Sequence, residues 1–207
     1  MTLRHLHRYS ALLLGLFLLA HLGNHLAGLA GIDAHIALME RLRTVYRFPL
    51  IEALLLAAVG VQVASGITFL VCGWKKRRGA VYALQAVSGG YLAFFFLNHV
   101  GAVLLGRTVL DLDTNFHFAA AGMHVAPFHF FFMPYYFLAV LALFTHAGCF
   151  LYWRRLRASP AGARQALALS MTIGAVLGLL IVLMLAGALY PVHIPAEYRT
   201  LYEHLAP

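Results

Sequence analysis

Four histidines, His21, His25, His99 and His146, lie away from the ends of apolar stretches of membrane-spanning length, in a chain that is 62% apolar and 11% charged. An ionisable side chain in hydrocarbon is costly, so each is a functional candidate by default. Two of them are related by an internal repeat. Moving the chain by 78 residues places Leu6 on Leu84, Ser10 on Ser88, Leu14 on Leu92, Phe17 on Phe95 and His21 on His99. The strings LGLFLLAH and LAFFFLNH, residues 14–21 and 92–99, therefore hold one histidine each at matched depth. A single intramembrane histidine is well explained by a structural hydrogen bond. A matched pair on two helices suggests the two sides of a metal, and a haem iron takes one imidazole above the ring and one below.

The other two histidines are less constrained. His25 lies four residues after His21, on nearly the same helical face, and suits a supporting group, a proton carrier or an interfacial residue. His146 sits eight residues before Arg154, whereas His99 sits eight before Arg107, so the two occupy opposite halves of the membrane. Small residues around the pair (Gly15, Ala20, Gly23, Gly89, Gly90 and Gly101) leave room for a flat macrocycle in a bundle core, and small residues also serve helix packing.

Such residues need helices to hold them. The apolar share is far above the roughly 45–50% of a soluble domain, and apolar runs of about 20 residues mark transmembrane helices. Five are expected, at 9–29, 50–73, 80–106, 127–153 and 166–190, forming an all-α integral membrane bundle in a single domain, 1–207. The formal charge of +8 does not indicate a nucleic-acid partner, because the charges flank the apolar runs. The basic start RHLHRY with its leucine core imitates a signal peptide, but the internal copy around His99 cannot be one, so cleavage is not expected.

With the N-terminus inside, Arg4, Arg8, Lys75, Lys76, Arg77, Arg78, Arg154, Arg155, Arg157 and Arg164 fall on the inner side, against Arg41, Arg43, Arg47, Arg107 and Arg199 outside. That bias predicts the N-terminus inside and the C-terminus outside. Cys72 and Cys149 form no disulfide framework or zinc pattern and read as packing residues in a reducing compartment. Residues 31–48 are amphipathic, with Ile36, Met39, Leu42 and Val45 on one face, and predict a helix lying on the membrane surface. Residues 107–126 read as a partly structured loop. Pro127 and Pro134 fall near the start of the fourth span. The fifth span has no ionisable residue, and Gly174, Gly178 and Gly187 suit it to close packing.

The chain resembles the five-helix cytochrome b membrane subunit of succinate dehydrogenases and fumarate reductases. The resemblance covers nearly the whole length and is carried by LHRYSALLLGLF, HLGN at 21–24, LMERLR before the second span, LQAVSG leading to His99, and THAG at His146. It implies haem b, with His21 and His99 as ligands of an outer haem and His146 as one ligand of an inner haem. The inner partner on the second span is Gln62, within QVASG, where the family has a histidine, and Phe150 replaces a glycine four residues after His146. One haem is therefore expected and a second is possible, with His7 the first substitute ligand to test. The resemblance also implies a quinone site with Glu40 as proton acceptor, flavoprotein and iron–sulfur subunits on the cytoplasmic side, and a bacterial cytoplasmic membrane. A surface acid paired with Arg41 or Arg43 is the plain alternative for Glu40.

The chain has no flavin fingerprint and no cysteine set for a cluster, so dicarboxylate chemistry is not expected within it. Two other readings stay open. One is a standalone quinol-linked cytochrome b. The other is a metal-ion transporter with His25, His35, His117, His124, His129 and His193 as an entry path, against which there are no deep intramembrane carboxylates and no pairs of soft ligands.

Overall fold

A computed structural model describes residues 2–73 and 78–203. Lys75, Lys76 and Arg77, counted above in the inner charge bias, lie outside the described residues. The elements are α1 (Leu3–Ala27), a 3-10 turn (Gly28–Ala30), α2 (Ile32–Tyr46), α3 (Pro49–Gly73), α4 (Ala80–Thr108), α5 (Phe116–Ala121), α6 (His129–Arg155), α7 (Pro160–Leu185) and α8 (Ala196–Glu203), with no strand among the described residues. α1, α3, α4, α6 and α7 are each long and apolar enough to cross a membrane. At about 1.5 Å per residue a 25-residue helix reaches about 37 Å, beyond the roughly 30 Å of hydrocarbon. Their outward faces are apolar: Leu16 is 71% and Leu19 74% exposed. That composition suits lipid, and the chain reads as a multi-pass membrane protein.

The spans fall where hydropathy places them, but helix ends follow caps rather than apolarity. α1 takes in the basic start, beginning at Leu3. The last span starts earlier than 166 because Ser159 is the N-cap, its Oγ accepting the Gly162 N–H at 3.0 Å, with Pro160 in the first turn. It stops at Leu185 rather than 190, and Gly187 follows at φ +77°. Residues 107–126 are more ordered than a loop, since Asn115 caps α5 and drives the fully buried Phe116 into the core. The peptide bond before Pro127 is cis, and Pro134 lies inside α6.

α2 is a helix, as its periodicity predicts, and its apolar face is covered at Met39 and Ile36 but not at Val45, while the neighbouring His35 is buried with it. His35 and Met39 are buried, whereas Val45 is 58% exposed. α2 lies against α1, α3 and α5 rather than only on lipid, so the residues facing that junction are covered whatever their polarity.

The five long helices form a ring: α1 contacts α3, α3 contacts α4, α4 contacts α6, α6 contacts α7, and α7 returns to α1. Across the ring, no Cα of α1 comes within 8 Å of a Cα of α4, and the same holds for α3 and α6. α6 and α7 pack most closely. A Cβ at Gly174 would meet the Phe144 Cβ at 2.6 Å, and one at Gly178 the Phe137 carbonyl at 3.1 Å, as small residues at helix interfaces permit. The core gathers at the α2 end, where Phe116, Met123, Val140, Ile181, Met184 and Leu185 are buried together. Tyr190 Oη donates to the Gly28 carbonyl at 2.5 Å, and the His124 ring to the Leu185 carbonyl at 2.8 Å, tying the chain after α7 and the α5–α6 link to that end.

Candidate functional site

His21 on α1 and His99 on α4 face each other across the ring. Their ring centroids are 6.1 Å apart, with planes at 64°. Each is steadied by the phenylalanine one turn earlier. Phe17 stacks on His21 at 5.4 Å and 18°, and Phe95 on His99 at 4.9 Å and 13°, the i, i+4 geometry of a helix surface. The repeat extends further down both helices. Ser10 donates to the Leu6 carbonyl at 2.8 Å, and Ser88 to the Leu84 carbonyl at 2.7 Å. α1 and α4 thus reproduce local chemistry as well as letters.

Between the histidines lies a cavity of about 60 Å³, walled mainly by apolar side chains of α1, α4, α6 and α7, among them Leu18, Leu22, Leu92, Phe96 and Leu143. His25 and Tyr136 also line it. Two imidazoles are too few to complete a metal site built from side chains alone. A metal between them takes its other ligands from a group that brings its own. Two imidazoles facing each other across an apolar slot are the donor set that a haem iron takes. The void holds only part of a macrocycle, so the rest of the ring would occupy the gap between α1 and α4. Of the glycines expected to make this room, Gly23 and Gly101 are exposed and Gly89 packs on His146, so the space comes from helix separation instead.

At the α2 end the site acquires a polar roof. The His25 ring is 4.8 Å from that of His21, and its Nδ1 is 3.4 Å from Nε2 of His35. Asn24 Nδ2 donates to His35 Nε2 at 3.1 Å. With Nε2 accepting, the His35 proton resides on Nδ1, which is buried and has no partner. Burial lowers the His35 pKa to about 4, helped by the nearby His21 and Arg43, so the imidazole is neutral near pH 7. Arg43 extends the same stripe of α2, four and eight positions after His35 coming Met39 and Arg43. It pairs with Asp113 at 2.8 Å, while its Nε is buried without a partner. Arg47 Nη2 donates to Thr114 at 3.0 Å and Arg107 pairs with Glu52 at 2.5 Å. Burial, with Arg43 and Arg107 nearby, lowers the Arg47 pKa. The sequence reading placed His35 only among possible metal-entry histidines and missed its burial. The spacing His35, Met39, Arg43 was the available signal, hidden by a more apolar face beside it.

Glu40 occupies the exposed face of α2, about 140° around the helix from His35, and does not line the cavity. His146 and Gln62 stand toward the other end of the ring and do not meet. The His146 Nδ1–H donates to the Gln85 carbonyl at 3.2 Å and to Ser88 at 3.3 Å. Gln62 Nε2 donates instead to the His7 carbonyl at 2.5 Å and to Ser10 at 2.7 Å. Gln62 and His146 are thus pseudo-equivalents, each held by the repeated serine of the neighbouring helix. His7 donates its Nδ1–H to Ser65 at 2.7 Å, and Ser65 in turn donates to the Val61 carbonyl. Among the described residues, no three His, Cys, Asp or Glu side chains converge to hold a metal ion. Of the histidines considered as an entry path, His25 and His35 meet each other, and His124 is committed to the end of α7. In comparisons with known proteins, no family model, no curated protein and no solved structure matches the chain.

Proposed function

We propose that the chain is a haem b membrane subunit that carries electrons between quinone and a partner oxidoreductase. The observation that carries this reading is the pair His21 and His99, set 6.1 Å apart by two helices whose backbones do not otherwise approach. A haem b bound there supplies reversible one-electron transfer. His21 and His99 would hold it, kept in orientation by the stacked Phe17 and Phe95. The leucines and phenylalanines of α1, α4 and α6 keep water from the slot. His25 and Tyr136 complete the wall toward α2.

The charge bias supports the N-terminus on the cytoplasmic side, which would put the His21–His99 slot in the outer half of the membrane, and the resemblance supports a bacterial cytoplasmic membrane. Quinol oxidation releases protons with electrons, and Glu40, on the exposed face of α2, is at the aqueous edge where a base can accept them. Soluble flavoprotein and iron–sulfur subunits would dock at the N-terminal end of the bundle, as in the succinate dehydrogenases and fumarate reductases that the sequence resembles. At the far end, His146 offers one ligand toward a second haem and Gln62 none, so one haem per chain is the proposed complement.

The test is reduction of the haem-loaded protein by a quinol, followed optically, together with affinity purification from a host carrying its own soluble subunits. Quinol-driven reduction and co-purifying flavin and iron–sulfur subunits support the reading. Reduction without partners leaves a standalone quinol-linked cytochrome, and no reduction by any quinol overturns the quinone role.

A further inference from the structure

Given haem in the His21–His99 slot, we propose that the roof formed by His35, Arg43 and Arg47 binds the propionate carboxylates of that haem. The slot and its roof differ in kind. The cavity walls are almost wholly apolar, apart from its three histidines and Tyr136. The roof, joined to the cavity through the contact of His25 with His35, holds hydrogen-bonding groups that nothing satisfies. His35 is 2% exposed, and its Nδ1–H has no acceptor. Arg43 Nε is buried and equally unpaired. Buried polar groups are almost always hydrogen-bonded, so these two orphan donors, both on α2, indicate a missing acceptor; the orphan acceptor nearby, Asn24 Oδ1, belongs to the residue that already donates to His35.

The charge balance points to an anion. Arg43, Arg47 and Arg107 converge at this end, and two carboxylates, Asp113 and Glu52, face them. The hydrogen bond of Arg47 goes to the neutral hydroxyl of Thr114. Burial, with Arg43 and Arg107 nearby, lowers its pKa, while Tyr46 and Asp113 act the other way. Arginine forks match carboxylates in geometry as well as charge. A ligand suited to the whole site is therefore a flat apolar body with a ligated metal at its centre and carboxylates along one edge. A neutral quinone has the flat body but offers nothing to the guanidinium groups.

The experiment compares uptake of haem and of its dimethyl ester, in which both carboxylates are neutralised, by the full chain produced without haem in detergent. The unmodified protein should bind haem at least tenfold more tightly than the ester. In the R43Q/R47Q variant that ratio should fall to about one while affinity for the ester stays unchanged, which also shows that the variant is folded. An unmodified ratio near one, or a ratio that the variant leaves intact, overturns the roof assignment alone. If the double variant binds neither compound, R47Q at the end of α2 decides, supporting the assignment by a reduced ratio and overturning it by an unchanged one. Failure of the unmodified chain to take up either compound overturns the haem reading itself, and the roof assignment with it.

Discussion

A methyl group at Gly89 tests how firmly His146 is fixed. A Cβ at this position would stand 2.9 Å from Cε1 and 3.2 Å from Nδ1 of His146. The ring cannot simply slide away, because the same Nδ1 donates to the Gln85 carbonyl and to Ser88. Overpacking of this kind costs about 1–3 kcal/mol, and exchanging glycine for alanine in a helix returns about 0.8–1.0 kcal/mol. Gly89→Ala should therefore destabilise by about 0–2 kcal/mol. Gly60→Ala is the control, since nothing lies within 4 Å of its added Cβ, and it should stabilise by about 0.5–1 kcal/mol. The two variants should differ by about 1–3 kcal/mol. At roughly 2–4 °C per kcal/mol for a chain of this size, that is roughly 2–12 °C in thermal midpoint. Thermal unfolding of both in one detergent, followed by circular dichroism, reads the difference. A Gly89→Ala midpoint equal to or above that of Gly60→Ala would refute the close packing of His146 on α4.

The hydrogen bonds at the N-terminal end make a second contrast. Ser65→Ala strips the His7 Nδ1–H of its acceptor and should cost about 1–3 kcal/mol, whereas Ser88→Ala leaves His146 bonded to the Gln85 carbonyl and should cost less; equal midpoints would count against it. The haem-free protein should lose stability on acidification through His35. Its folded pKa of about 4 lies below the unfolded value near 6.5, so the unfolded chain binds the proton first, and stability present above pH 6.5 falls by on the order of 2–3 kcal/mol toward pH 4. His117, also lowered by burial, acts in the same direction, and a His35→Asn variant should reduce the slope by the share of His35 in denaturant titrations across that range, an unchanged slope counting against its burial. Glu40→Gln should keep haem and assembly but slow quinol-dependent haem reduction, roughly 10²-fold for a lost general base, while unchanged turnover would make Glu40 an ordinary surface acid.

The long helices were legible because hydrophobic runs of membrane-spanning length have few alternatives. Their ends were less so, since Ser159 and Gly187 act through single hydrogen bonds and one backbone torsion that hydropathy averages away. The pairing of His21 with His99 was legible because the repeat copies the supporting Phe17/Phe95 and Ser10/Ser88 along with the two histidines. His35 was not. Its burial depends on α2 lying against α1 and α5, a tertiary fact, and the apolar stripe through Ile36, Met39 and Val45 gave no sign that a polar neighbour would be covered with it. Gln62 was recognised as a departure at a ligand position, but its actual partners, His7 and Ser10 on α1, follow from which helices are neighbours in the ring.

The central claim is that His21 and His99 hold one haem between them. The direct measurement is haem per polypeptide with a reduced-minus-oxidised spectrum, taken on the unmodified protein and on His21→Ala, His99→Ala and His25→Ala. One b-type haem per chain is expected, lost in the first two variants and kept in the third. Full haem content in both His21→Ala and His99→Ala would contradict the assignment.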